Sequence, residues 1–134
     1  MVAVAAVWVF VGLVMIGTGA LVIGIAHRTA DGRMGRNAWA GTRTKATRSS
    51  EAAWRAAHQA GLGPSIVAGW IFIAAGVVSP VLAWLIADEP DPAMAWWGGL
   101  VTAFALAGSV VLVLGALRSQ RAAKDVNEGF PTSL

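Results

Sequence analysis

Three stretches of the chain carry no Asp, Glu, Lys or Arg: Val2–Ala26, Ile66–Ala87 and Ala93–Leu117, of 25, 22 and 25 residues. A helix of about 20 apolar residues crosses the hydrocarbon of a bilayer. The pattern therefore predicts an all-α integral membrane protein, a single membrane domain over 1–134 with transmembrane helices at about 2–26, 66–87 and 93–117. It does not fit a membrane β-barrel, whose strands are about ten residues of alternating polarity. The first run is too long for the apolar core of a signal peptide and no basic residue precedes it, so it is expected to remain as a helix. Between the runs lie a long connection, residues 27–65, and a short one, Asp88–Pro92; residues 118–134 form a tail.

Composition sharpens this picture. Hydrophobic residues make up 57% of the chain and charged ones 13%, about half the share in a soluble domain, which excludes an ordinary soluble enzyme and a disordered tail. Charge is also sorted by segment. The long connection holds Arg28, Arg33, Arg36, Arg43, Lys45, Arg48 and Arg55 against Asp31 and Glu51, and the short one holds Asp88, Glu89 and Asp91 with no base. The tail holds Arg118, Arg121 and Lys124 against Asp125 and Glu128. Loops rich in Lys and Arg stay cytoplasmic. The expected topology is thus multi-pass, with the N-terminus outside and the C-terminus cytoplasmic. The basic residues flank spans and read as this topology signal, so no nucleic acid is expected as a partner. The chain has no cysteine, hence no disulfide framework or thiolate metal site.

Within the spans, Trp8, Trp84, Trp96 and Trp97 fall toward the outer ends and Trp70 toward the inner end, as interface anchors do. Pro90 and Pro92 imply a tight hairpin between spans two and three, and Pro80 a kink near Gly76–Pro80. Small residues that let helices approach occur at four-residue spacing: Ala20 and Gly24; Ala75 and Ser79; Gly99, Ala103 and Ala107, with Thr102, Ala105 and Ser109 on a neighbouring stripe. No span contains an ionisable side chain of the kind that carries a coupling charge, which disfavours a transporter.

The connection 27–65 is far longer than tethering two helices requires, and loops of that length are functional or disordered. Its second half predicts a short amphipathic helix. Ser49 or Ser50 caps it, Glu51 sits at the positive dipole end and pairs with Arg55, and Gly61 stops it before Gly63-Pro64 restarts the chain. Trp54 and His58 share a face that rests on the membrane surface or against the span ends. The first half is rich in hydrogen-bonding groups, among them Asn37, Thr42, Arg43, Thr44, Thr47, Ser49 and Ser50. The Arg43 fork is either held by hydroxyls, helix-end carbonyls or Asn37, or binds an anionic headgroup or a peptide carboxylate. His58 has no second ligand apart from distant His27, so no metal is expected, and no arrangement of nucleophile, base and acid points to catalysis or to a cofactor.

Asn37, Gly41, Arg43, Thr44, Thr47, Ser50, Trp54, His58 and Gly61, in this order, resemble the signature of the SdpI-type immunity-protein family of small bacterial membrane proteins. Many members place a proline and an aromatic residue between the two threonines, where this chain has Lys45 and Ala46. The resemblance implies a non-enzymatic inner-membrane protein that protects against a secreted membrane-active peptide and holds a transcriptional repressor at the membrane. The expected function is binding of a peptide, lipid or protein through the cytoplasmic loop, in which those nine residues form a binding or a structural cluster. The alternative is an accessory subunit of a larger membrane complex. Candidate partners are membrane lipids, a peptide toxin, membrane-complex subunits or a second copy of the chain.

Overall fold

The computed structural model describes residues 2–35, 39–85 and 91–129. The described chain is all-helical: α1 (Val2–Ala30), α2 (Glu51–Leu85) and α3 (Asp91–Asn127). Each is long and apolar enough to cross a membrane. The short connection from 86 to 90, with Pro90, and Asn37 lie outside the described residues.

The helix α2 is the centre of the molecule. It packs along both α1 and α3, while those two share no comparable face among the described residues. The packing surfaces are made by glycines at seven-residue spacing. On α1, Gly12 and Gly19 are buried, as are Gly69 and Gly76 of α2 opposite them. A Cβ added to Gly76 would stand 2.6 Å from the Gly12 carbonyl oxygen, and one added to Gly12 would stand 2.6 Å from that of Gly76. Gly19 and Gly69 approach each other's backbone in the same way. Where lipid tails are as apolar as the side chains, this closeness of backbones, rather than hydrophobic expulsion from water, holds helices together. Pro80 takes part in it. With no N–H, it leaves the Gly76 carbonyl without its intrahelical donor, and that carbonyl is the one that faces Gly12. Helix α2 is continuous through Gly76–Pro80.

On α3 the buried positions are Val101, Gly108, Gly115, Ser119 and Ala123. The Phe72 ring fills the space over Gly108, 3.0 Å from where a Cβ would be. These are not the stripes that four-residue spacing suggested. Gly24 and Gly99 have no atom of another element within 4 Å of a built Cβ, and Ala20, Ala103 and Ala107 are exposed. Ala75 and Ser79 do face inward, and Ser79 Oγ donates to the Trp8 carbonyl at 3.3 Å. Thr102 and Ser109 on the outer face donate to the carbonyls of Gly98 and Ala105 at 2.8 Å, which satisfies the hydroxyls without a partner helix. Trp70, Trp84 and Trp96 are exposed, as lipid-facing anchors should be.

One expectation is corrected. No separate helix ends at Gly61: residues 51–85 form a single α2. Positive φ, which a glycine stop needs, occurs only at Gly32, Gly41 and Gly129 among the described glycines. Gly61 serves a different end. A Cβ there would collide with Ser119 Oγ, so its bare Cα admits α3. Pro64 costs the helix one hydrogen bond, and its ring packs where a Gly115 Cβ would otherwise be, at 2.9 Å. At 35 residues, α2 is about 52 Å long, against about 30 Å of hydrocarbon. Its first turns therefore project beyond the membrane, beside the charged end of α3 that begins at Arg118.

Candidate functional site

The projecting ends of the helices carry a folded cap built from the α1–α2 loop. Gly32, at φ 73°, turns the chain away from α1, and the Met34 N–H returns to the Arg28 carbonyl at 3.0 Å. The loop then crosses the first turns of α2. Ser50 is the N-cap: its Oγ accepts the Ala53 N–H at 3.0 Å, while its carbonyl accepts the Trp54 N–H at 3.0 Å. Alanines form the apolar seam below, where Ala53 and Ala57 of α2 meet Ala123 of α3, flanked by Ala46 and Val126.

Two side chains of α2 organise the loop from beneath. Trp54 is completely buried, and its indole N–H donates to the Met34 carbonyl at 2.8 Å. His58, one turn on, stacks against it with ring centroids 4.0 Å apart. The contacts of His58 fix its state. Nδ1 lies 2.8 Å from the Trp54 carbonyl, which only accepts, so Nδ1 carries the proton. Nε2 then presents its lone pair to the Thr42 N–H at 3.1 Å. A second proton on Nε2 would face that N–H, donor against donor. His58 stands level with Thr29, past Arg28 and so beyond the uncharged part of α1, where burial pushes its pKa below the ordinary value against a smaller opposing effect of the Trp54 carbonyl. With both nitrogens engaged, the ring is a clamp between helix and loop. It has no free lone pair for a metal or a proton transfer.

Gly41 is needed at the point of closest approach. Its φ is 102°, and a Cβ would stand 2.5 Å from His58 Nε2 and 3.2 Å from the Thr29 methyl. The next residues form a reciprocal turn. The Thr47 hydroxyl accepts the Thr44 N–H at 2.9 Å and lies 2.8 Å from the Thr42 carbonyl, and the Thr47 N–H donates back to Thr44 Oγ1 at 3.2 Å. Thr47 is fully buried. The cap is tied to the far end of α3 at Ala46, whose carbonyl accepts from Ser49 Oγ at 2.8 Å and from Asn127 Nδ2 at 3.2 Å.

Gly41, Thr44, Thr47, Ser50, Trp54 and His58 thus come together in the cap, and Gly61 lies one turn below His58. Arg43 does not join them. It is exposed, and it lines an open surface hollow with Lys45 and Arg48. Thr42, expected from its hydroxyl, acts through its backbone N–H and carbonyl. Met34 and Asn127 belong to the cap but carry no signal in the sequence, since they act through a backbone carbonyl or across more than 80 residues of chain. Thr29 is another: its hydroxyl is satisfied within α1, by the Ile25 and Ala26 carbonyls at 2.9 and 3.0 Å, and it is the methyl that meets the loop. Under the cap, a cavity of about 170 Å³ lies between the three helices, bordered by Thr29, Thr42, His58, Ser65 and Ser119.

These features define a class: a small polytopic helical membrane protein whose longest loop is a folded cap rather than a tether. The family can be given as well. The chain matches the model of the SdpI/YfhL protein family over residues 33–115, which takes in the loop, α2 and most of α3, and it belongs to that family. Comparison with the curated proteins and with the solved structures returned no match.

Proposed function

We propose that this chain is an immunity-type protein of the bacterial plasma membrane that works by binding rather than catalysis, with the cap and C-terminus cytoplasmic and the N-terminus outside. Membership of the SdpI/YfhL family supports the immunity part. The sidedness rests on the clustering of basic residues in the loop and tail. The observation that carries the binding reading is the division of labour in the cap. The inward residues of the fingerprint are spent on folding the loop, and this leaves Arg43, Lys45 and Arg48 together on its outer surface. A rigid base presenting three cations is suited to a carboxylate-bearing peptide or an acidic protein surface, and Arg43 brings a bidentate fork.

The test separates binding from folding. Arg43→Ala and Arg43→Lys are each assayed for accumulation in the membrane and for survival of cells challenged with a secreted membrane-active peptide. Normal accumulation with protection lost in both variants supports the reading, because lysine lacks the fork. Protection at the wild-type level in both variants removes Arg43 from the function.

A second reading, as an accessory subunit or homo-oligomer, draws on the outer face of α3, where Gly99, Ala103 and Ala107 are exposed without a packing partner in the monomer. A stoichiometric companion retained through purification in mild detergent would favour it.

A further inference from the structure

Beside the cap, on the outer face of α1, runs an open groove of about 580 Å³. Its floor is apolar and lies within the span: Ala20, Leu21 and Gly24. Its upper end is cationic and aromatic: Arg28, Arg33 and Trp39. All six are exposed. Ala20, Gly24 and Arg28 stand four residues apart, so they form one row up the helix. Gly24 makes the trough, since nothing fills the space that its side chain would occupy. Asp31, between the two arginines in sequence, does not line the groove.

We infer that this groove holds one anionic phospholipid, with its phosphate between Arg28 and Arg33, an acyl chain over Gly24 and the Trp39 indole at the level of the glycerol. The occupant follows from the order of chemistry along the groove. Hydrocarbon contact comes first, then two cations just past the end of the uncharged run, then an indole of the kind that settles at the headgroup level. A soluble peptide cannot reach the floor, and a zwitterionic lipid brings its own ammonium up to two guanidinium groups, which an anionic lipid does not. Basic pockets at the ends of spans recognise anionic headgroups in this way. The inference is independent of the immunity reading, because it is tested by lipid occupancy and not by protection.

The experiment is native mass spectrometry of the purified full chain in mild detergent, titrated with phosphatidylglycerol or phosphatidylcholine. The wild type is expected to retain one phosphatidylglycerol with a preference on the order of tenfold, as two headgroup-level cations allow. The R28Q/R33Q double variant should lose the preference. Gly24→Leu keeps both cations and fills the trough, and it should lose it too; a Cβ at this position has no atom of another element within 4 Å. R118Q/R121Q removes the same charge at the same end of the molecule and should bind as wild type does. Equal retention of the two lipids by the wild type, unchanged binding in Gly24→Leu, or an equal loss in R118Q/R121Q overturns the inference and leaves only general attraction to a basic surface.

Discussion

At the scale of single residues, the cap is a set of side chains that each answer a backbone group. Gly41 has two independent reasons to be glycine, its φ of 102° and the imidazole beside it. Gly41→Ala should therefore cost about 1–3 kcal/mol of cap stability, read as faster proteolysis of the loop in detergent-solubilised protein. Trp54→Phe keeps the buried ring but strands the Met34 carbonyl, a loss of about 1–3 kcal/mol by the same measurement. His58 makes the cap sensitive to acid. Its pKa in the closed cap is lowered, while in the opened loop it returns to about 6.5. Above that value both states are neutral and the cap has its full stability. As pH falls below it, the opened state takes up the proton first and closure weakens until the closed-state value is reached. Loop proteolysis should thus accelerate from pH 7.5 to pH 5 in the wild type and much less in His58→Gln, while His27→Gln, at an exposed position, should leave the acceleration in place. An equal response in the His58 variant would mean that another group carries the pH dependence. The sequence gives Trp54 and His58 their shared face and Ser50 its cap, because these are local relations within one helix. It does not reveal that Arg43 points outward, since whether a fork is held or free depends on where the loop crosses α2.

At the scale of helices, the three spans are legible because their length and lack of charge are set by the bilayer itself. The faces they present to each other are not. Small residues at four-residue spacing occur on several sides of a membrane helix, and only the matching of Gly12 and Gly19 with Gly69 and Gly76 decides which side packs. Gly61 was open to misreading for a related reason. A glycine before a Gly-Pro pair reads locally as a stop, but its neighbour across the interface, Ser119, requires the bare Cα inside a continuous helix. Glycines in the seam and on the lipid face should therefore respond differently. Gly76→Leu forces a side chain into the backbone of α1 and should cost about 1–3 kcal/mol or more, with loss of accumulation in the membrane. Gly99→Leu should accumulate as the wild type does. If the two variants melt at the same temperature in detergent, the glycine seam is not what joins α1 to α2.

At the scale of the whole molecule, the proposed sidedness makes one direct claim. A cysteine in place of Glu89 should react with an impermeant thiol reagent in intact cells, and a cysteine in place of Lys45 only after the membrane is opened. The reverse pattern would turn the cap to the outside and remove the cytoplasmic reading. The family fingerprint was readable in the sequence, because a fixed order of residues survives without knowledge of their contacts. What each residue does in the cap was not, because the contacts join a loop to helices on both sides of it.

The clasp between Ala46 and Asn127 has a consequence for how the molecule is made. The loop leaves the ribosome long before Asn127 does, so it must wait through the insertion of two more helices before it can be fastened. Until then Ala46 has only its local Ser49 donor, and the alanine seam lacks Ala123. The cap is therefore complete only on a chain whose third helix has arrived in place, so the last helix to be made sets the moment at which the first loop is fastened.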